Sequence, residues 1–194
     1  MGASLSTEEL KAIARSTNFT TEEIEERYKL FQEEFPDGKI TKERFQEVYN
    51  EIFAPVWGRT QFKGDTLWRH VFRACDTAKS GYVDFKELIL AIDHAENGTP
   101  KEKLIWMFRI YDVSQSGYLN ETEVTTVVQS IYENEIKNHP EKKKYEADIV
   151  KRARKIFDKM DKKDGVKDGK VQLRTFIDVC LEDKEIFDFL INER

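Results

Sequence analysis

The chain has 194 residues, a net charge of -5 and a pI near 5.4, with 36% charged and 39% hydrophobic residues. Its 13 Phe, 7 Tyr and 3 Trp are enough for the core of one or two compact domains. A mildly acidic balance gives no global attraction to nucleic acid, which is not an expected partner, and no run of about 18 apolar residues predicts a membrane span.

Cys75 and Cys180 are far apart and flanked by apolar residues. Two thiols do not make a disulfide framework, so both are expected to be buried in a reducing compartment. His70, His94 and His139 are scattered, with no Cys or Ser placed beside them as a nucleophile pair. No enzymatic activity is expected from that set.

In chain order, Met1-Gly2-Ala3-Ser4-Leu5-Ser6 comes first. It lacks the apolar core of a secretory signal. It does match the N-myristoylation pattern, glycine after methionine with serine at position six, which predicts acylation of Gly2. Thr20 with Glu23 is a capping box that starts a helix. From there the chain repeats one unit: an amphipathic helix, a polar loop with glycine, one aliphatic residue, and a second helix. The pivots are Gly38, Gly81, Gly117 and Gly169. The aliphatic residue follows at Ile40, Val83, Leu119 and Val171, and the apolar stripe resumes at Phe45, Leu88, Val124 and Phe176. Trp68, Val71, Phe72 and Cys75 line one face of the second unit's first helix; Leu104, Met107, Phe108 and Tyr111 do so in the third. Asn97-Gly98-Thr99-Pro100 stops one helix and starts the next, since Thr99 and Glu102 form a capping box with proline at the first helical position. That break divides the chain into segments 1–97 and 98–194.

A helix, a loop of about twelve residues turning on glycine, and a second helix resembles the EF-hand. The expected fold is all-α: four EF-hands in two paired lobes, with short antiparallel β links between paired loops through the lone aliphatic residues. Calcium takes oxygens from loop positions 1, 3, 5, 7 (a backbone carbonyl), 9 and a bidentate Glu at 12.

Hand one, residues 33–44, has Phe35 at position 3 and Arg44 at position 12, and is expected to pack rather than bind. Hand two, residues 76–87, offers Asp76, Ser80, the Tyr82 carbonyl, Asp84 and Glu87, but Ala78 supplies no ligand at position 3. Hand three, residues 112–123, fills every ligand position, with Asp112, Ser114, Ser116, the Tyr118 carbonyl, Asn120 and Glu123. Only Asp112 and Glu123 there are charged, which points to the weaker sensor range. Hand four is irregular. Its helix register, with Ile156, Phe157 and Met160, calls for a loop starting at Asp161, whereas Gly169 calls for a start at Asp164. A three-residue insertion around Asp164-Gly165-Val166 reconciles the two. Position 12 is then Thr175, without the bidentate carboxylate, and a turn closed without metal is expected; Asp161, Asp164 and Asp168 offer at most a loose cation site.

The chain resembles the neuronal calcium sensor family over nearly its whole length. The acylation-type N-terminus carries part of the resemblance. Phe35-Pro36-Asp37-Gly38 is similar to the family's Cys-Pro-x-Gly, which disables hand one. Asn97-Gly98-Thr99-Pro100-Lys101-Glu102-Lys103-Leu104, then Trp106, Phe108 and Tyr111-Asp112, is similar to its lead-in to hand three, and Phe157 with Met160-Asp161 to that of hand four. Departures are Phe35 for Cys, Arg27 for an exposed Trp, Ala78 in hand two, and the stretched hand four.

The resemblance implies a calcium-binding regulatory sensor, cytoplasmic and peripherally membrane-associated. Its myristoyl chain on Gly2 would meet the membrane surface, and calcium would expose a hydrophobic groove to a target protein helix. Phe31, Phe45, Tyr49, Phe53, Trp57, Phe72 and Leu88 are candidates to line that groove. A single acyl chain binds membranes only marginally. Lys142-Lys143-Lys144 with Lys151, Arg152, Arg154 and Lys155 is a candidate second contact, although Glu141, Glu146 and Asp148 are interspersed. The alternatives are a calcium-insensitive EF-hand adaptor and a calcineurin-B-like regulatory subunit.

Overall fold

Where each helix starts is set largely by capping side chains. Ser6 with Glu9, Thr20 with Glu23, Asp84 with Glu87, Thr99 with Glu102 and Asn120 with Glu123 each form a reciprocal capping box that satisfies two orphan backbone donors. The computed structural model of the chain describes residues 4–53 and 66–191. Its helices are α1 (Thr7–Arg15), α2 (Thr21–Glu34), α3 (Lys42–Val48, continuing as a π-helical turn Tyr49–Phe53), α4 (Leu67–Cys75) and α5 (Phe85–Glu96), followed by α6 (Pro100–Tyr111), α7 (Glu121–Ile131), α8 (Glu133–Asn138), α9 (Lys142–Lys163), α10 (Leu173–Glu182) and α11 (Lys184–Ile191).

Four two-residue strands link the loops: β1 (Ile40–Thr41), β2 (Tyr82–Val83), β3 (Tyr118–Leu119) and β4 (Val171–Gln172). β1 pairs antiparallel with β2, placing Ile40 opposite Val83, and β3 pairs with β4, placing Leu119 opposite Val171. All four of these aliphatic side chains are 0% exposed. The fold is therefore the all-α, four-EF-hand arrangement with the β links that the repeat pattern predicts.

α5 ends at Asn97 and Thr99 caps α6, with Gly98 between them. A Cβ on Gly98 would stand 2.4 Å from the His94 carbonyl oxygen, so this tight helix-to-helix step needs glycine. The buried side chains on the two sides of the step form one contiguous cluster, from Leu10 of α1 to Leu190 of α11. α4 packs on α6 and α7, and α5 on α6.

Both ends of the described chain are tied down by polar anchors. The Leu5 amide donates to the Tyr28 hydroxyl at 2.6 Å, and the Asn18 amide donates to the buried Asp93 carboxylate at 3.0 Å. Asn18 and Asn97 side-chain amides also donate to Asp93, so its charge is satisfied by neutral donors. At the other end, Tyr111 and Tyr132 donate their hydroxyls to the Leu190 and Phe189 carbonyls at 2.8 and 3.1 Å. Cys75 and Cys180 are buried free thiols, as expected. Burial pushes both thiols up, that of Cys180 to about 12. Among the described residues, no helix is long and apolar enough to cross a membrane.

The aromatic groove candidates are packed as core here. Phe31, Phe45, Tyr49, Phe53, Phe72 and Leu88 are all buried. Phe45 contacts Phe72 at 5.2 Å and Phe53 at 6.0 Å between ring centroids. Burying this much apolar area against itself is favourable while the helices stay closed, so these side chains line no open groove in this structure. Trp57 and the acylation candidate Gly2 lie outside the described residues.

Candidate calcium sites

In loop two Asp76 is the C-cap of α4, its amide donating to the Phe72 carbonyl, and its position-1 carboxylate is cradled by the turn. Its Oδ1 accepts from the Ser80 amide at 2.8 Å and its Oδ2 from the Gly81 amide at 2.9 Å. Ser80 Oγ lies 3.3 Å from Asp76 Oδ1 and 2.9 Å from the Tyr82 carbonyl oxygen. Glu87 closes the loop from its far end. Its Oε2 accepts from the Asp84 amide at 3.2 Å, and its Oε1 from the Ala78 amide and the Thr77 hydroxyl, both at 3.0 Å. Asp84 Oδ1 returns the contact by accepting from the Glu87 amide at 2.8 Å.

Loop three repeats this geometry. Asp112 accepts from the Ser116 and Gly117 amides at 2.9 and 2.8 Å. Ser116 Oγ stands 3.0 Å from the Tyr118 carbonyl oxygen. Glu123 accepts from the Ser114 amide and hydroxyl at 2.8 and 2.7 Å, and from the Asn120 amide at 3.0 Å. The turn demands left-handed backbone: Gly81 has φ 84° and Gly117 φ 83°. Lys79 and Gln115, two residues earlier, also sit at φ 55° and 57°, a conformation that disfavours side chains with a Cβ.

These loops fit calcium. Oxygens sharing an ion at about 2.4 Å stand roughly 3 Å apart. The oxygens at positions 1, 5 and 7 already keep that spacing, and the position-12 carboxylate spans the loop to position 3, in loop two to position 2 as well. Among the described residues no three His, Cys, Asp or Glu side chains converge as a ready-made cluster. The remaining ligands are hydroxyl, amide and carbonyl oxygens, as a hard cation accepts.

Loops one and four are closed differently. In loop one the position-12 residue is Arg44. It donates to Glu34 at 3.3 Å, pairs with Glu47 at 3.2 Å, and lies over the Phe35 ring at 5.6 Å. A guanidinium stands where a metal ligand is needed. In loop four the Gly169 amide donates to Asp161 at 3.0 Å, spanning eight residues where loops two and three span five. This is the three-residue insertion, and α9 absorbs part of it by running past Asp161 to Lys163. Thr175 then donates to Asp164 across the loop at 2.5 Å.

Between loops two and three the two halves are joined by a short polar chain. Arg73 Nη2 donates to the Ile110 carbonyl at 2.6 Å, and its Nη1 faces His70 Nδ1 at 3.0 Å. A guanidinium can only donate, so His70 Nδ1 accepts and Nε2 carries the proton, facing Ser130 Oγ at 3.4 Å. Burial, reinforced by Arg73 and Arg69, pulls the His70 pKa down to about 4. Burial also lowers that of Arg73, against the attraction of Asp112 and Glu123 in loop three. Thr66 adds a bond from its hydroxyl to Glu133 at 2.8 Å.

The family model for an EF-hand domain pair matches residues 36–95. Human recoverin is 32% identical over 186 residues, covering 94% of this chain and 87% of its own. S-modulin from Aquarana catesbeiana is 33% identical over 186 residues, covering 94% of this chain and 86% of its own. The chain belongs to the neuronal calcium sensor family. As a member of that family it is a calcium-binding EF-hand protein with a regulatory role. Its departures from the family pattern also find places in the structure. Arg27 lies 4.4 Å over the Phe19 ring and 3.9 Å from Glu96, bridging the first helix of hand one to the last turn of hand two. Thr77, Arg73 and the left-handed Lys79 and Gln115 were not anticipated from sequence. Thr77 is a polar side chain at a non-ligand position of the loop, and that is its one signal in the sequence.

Proposed function

We propose that this chain is a calcium-triggered regulatory sensor whose hands two and three take the metal, and which acts by binding rather than by catalysis. Asp76, Ser80, the Tyr82 carbonyl, Asp84 and Glu87 would hold one ion. Asp112, Ser114, Ser116, the Tyr118 carbonyl, Asn120 and Glu123 would hold the other. The observation that carries this reading is the reach of Glu87 and Glu123 across their loops, which hands one and four do not reproduce. Bound calcium supplies the charge that holds each loop's oxygens together. Glu87 is the third residue of α5, and Glu123 the third of α7, so each carboxylate ties its loop to the helix that follows it. Drawing Glu87 inward moves α5, which carries Leu88, against α4, which carries Phe72. Movement of that kind opens sensor EF-hands and exposes apolar surface. The buried aromatic set around Phe45 is the surface that a target protein's amphipathic helix would meet.

Acylation of Gly2 would add a peripheral membrane anchor. Gly2 is two residues before Ser4 in the sequence, and Leu5 is tied to Tyr28. A cytoplasmic, membrane-associated location follows from that reading.

Calorimetric calcium titration with magnesium present tests the metal assignment. About two ions are expected for the wild type, and one each for Glu87→Gln and Glu123→Gln. No binding up to roughly millimolar calcium would leave a calcium-insensitive adaptor that keeps the fold. Dependence on a stable catalytic partner would turn the reading toward a calcineurin-B-like subunit.

A further inference from the structure

Hand four has lost the carboxylate that anchors calcium and has gained positive charge. Residues 151–170 carry nine Lys or Arg against four Asp, a net +5 in a chain of net -5, which leaves -10 on the rest. Two of the four acids, Asp158 and Asp168, are exposed; Asp161 is buried and Asp164 half-buried. Asp161 accepts from the Gly169 amide and Asp164 from Thr175, while the exposed Asp168 accepts from the Lys170 amide at 3.0 Å. Of the cations, Arg154 pairs with Glu121, Lys159 with Asp183, and Lys163 with Glu182. Arg152 lies over the Phe189 ring. Lys151, Lys155, Lys162 and Lys167 are exposed and make no ion pair within the described residues.

At 3.6 residues per turn, Lys151, Lys155 and Lys162 fall within about 40° of arc. That arc lies opposite the stripe of Ala153, Ile156 and Met160 that α9 buries. Asp158 is the one acid exposed between them. Beyond Lys162 the insertion leaves Val166 at the loop tip 65% exposed, with Lys162, Lys163 and Lys167 close to it in sequence and one exposed acid, Asp168, two residues on. The earlier part of α9 also exposes Lys142 and Lys143 but mixes the signs more closely. There Lys144 pairs with Glu141, and Glu146 accepts from Gln129.

We propose that this face, the outward lysine stripe of α9 with the Val166 tip, docks on the surface of an anionic lipid bilayer. Unpaired lysines gain from the negative surface potential of such a membrane. A single apolar tip set among cations suits the headgroup boundary, where it leaves water while the lysine heads remain in it. The contact needs neither calcium in hand four nor an acyl chain on Gly2, so it stands apart from the sensor reading.

The test uses the full-length unacylated chain, sedimented with phosphatidylcholine vesicles that contain or lack phosphatidylserine. Binding is expected only with phosphatidylserine and should fall as salt rises. Each lysine near the surface is worth about 1 kcal/mol, or about fivefold in partitioning. The Lys155→Gln/Lys162→Gln variant should therefore bind about 25-fold more weakly, and Val166→Asp should also weaken binding. A control of equal charge change, Lys29→Gln/Lys101→Gln, should bind as the wild type does. Thermal melts of each variant check that the fold is kept. Equal binding to both vesicle types would overturn the proposal. So would equal losses in the control, or equally tight binding to soluble polyglutamate.

Discussion

Hands two and three pack on each other through α4, α6 and α7, and hands one and four flank them in the chain. All four share the same helices, turn and β link, yet the pairs are closed across the loop by different chemistry. In the inner pair a glutamate at position 12 reaches back to position 3, and in loop two to position 2 as well. In the outer pair the equivalent residue is Arg44, bonded to Glu34, or Thr175, bonded to Asp164. The fold needs something to tie the end of the loop to its start, and that tie need not be a metal ligand. Only a carboxylate leaves the loop able to hold a cation.

The largest effect should come from exchanging the tie in one loop of each kind. Glu123→Gln is expected to push hand three's calcium affinity into or beyond roughly the millimolar range. Thr175→Val should leave calcium stoichiometry unchanged in the same titration. If both variants lose an ion, the distinction between inner and outer loops fails.

The join between the inner hands should respond to acid. The folded-state pKa of His70 is about 4, below its ordinary 6.5. The unfolded chain therefore takes up this proton first. The contribution is fully present above about pH 6.5 and is lost as pH falls toward 4. At pH 5 the loss is about 2 kcal/mol. Denaturant melts between pH 7 and pH 5 should show that slope, and His70→Gln should flatten it.

Thr175→Val also removes the hydroxyl that satisfies Asp164, at a cost of about 1 to 2 kcal/mol in the same melts. The smallest effect sharpens the comparison from the inner side. Arg73 adds positive charge near Asp112 and Glu123, so Arg73→Gln should tighten calcium at hand three by roughly two- to fivefold. That gain should shrink in high salt.

Much of this arrangement can be read from the sequence, because repeats and caps act locally. Four glycines at matching offsets, each followed by an aliphatic residue, give the loops and their β register. Thr20 with Glu23, and Thr99 with Glu102, give two helix starts. The insertion in hand four is visible because helix register and glycine register disagree by three residues, and the Asp161–Gly169 hydrogen bond spans that difference. The ties across loops one and four are harder to read. Whether Arg44 meets Glu34, or Thr175 meets Asp164, depends on how two segments ten or eleven residues apart are brought together. The packing of Phe45, Tyr49 and Phe53 was harder still. An apolar face suits a closed core and an open groove equally, and its periodicity does not distinguish them.

The β links carry one further consequence. β1 joins loop one to loop two, and β3 joins loop three to loop four. Each sheet therefore couples a loop with a glutamate tie to one already closed by its own side chains. With calcium in hands two and three as proposed, no lobe holds two ions, and neither site has a metal-binding neighbour across its sheet. Each lobe would titrate as a single site with a Hill coefficient near one. Any cooperativity between the ions would have to pass through the packing of α4 and α5 on α6 and α7, with Arg73 on the Ile110 carbonyl among its contacts, not through the strands.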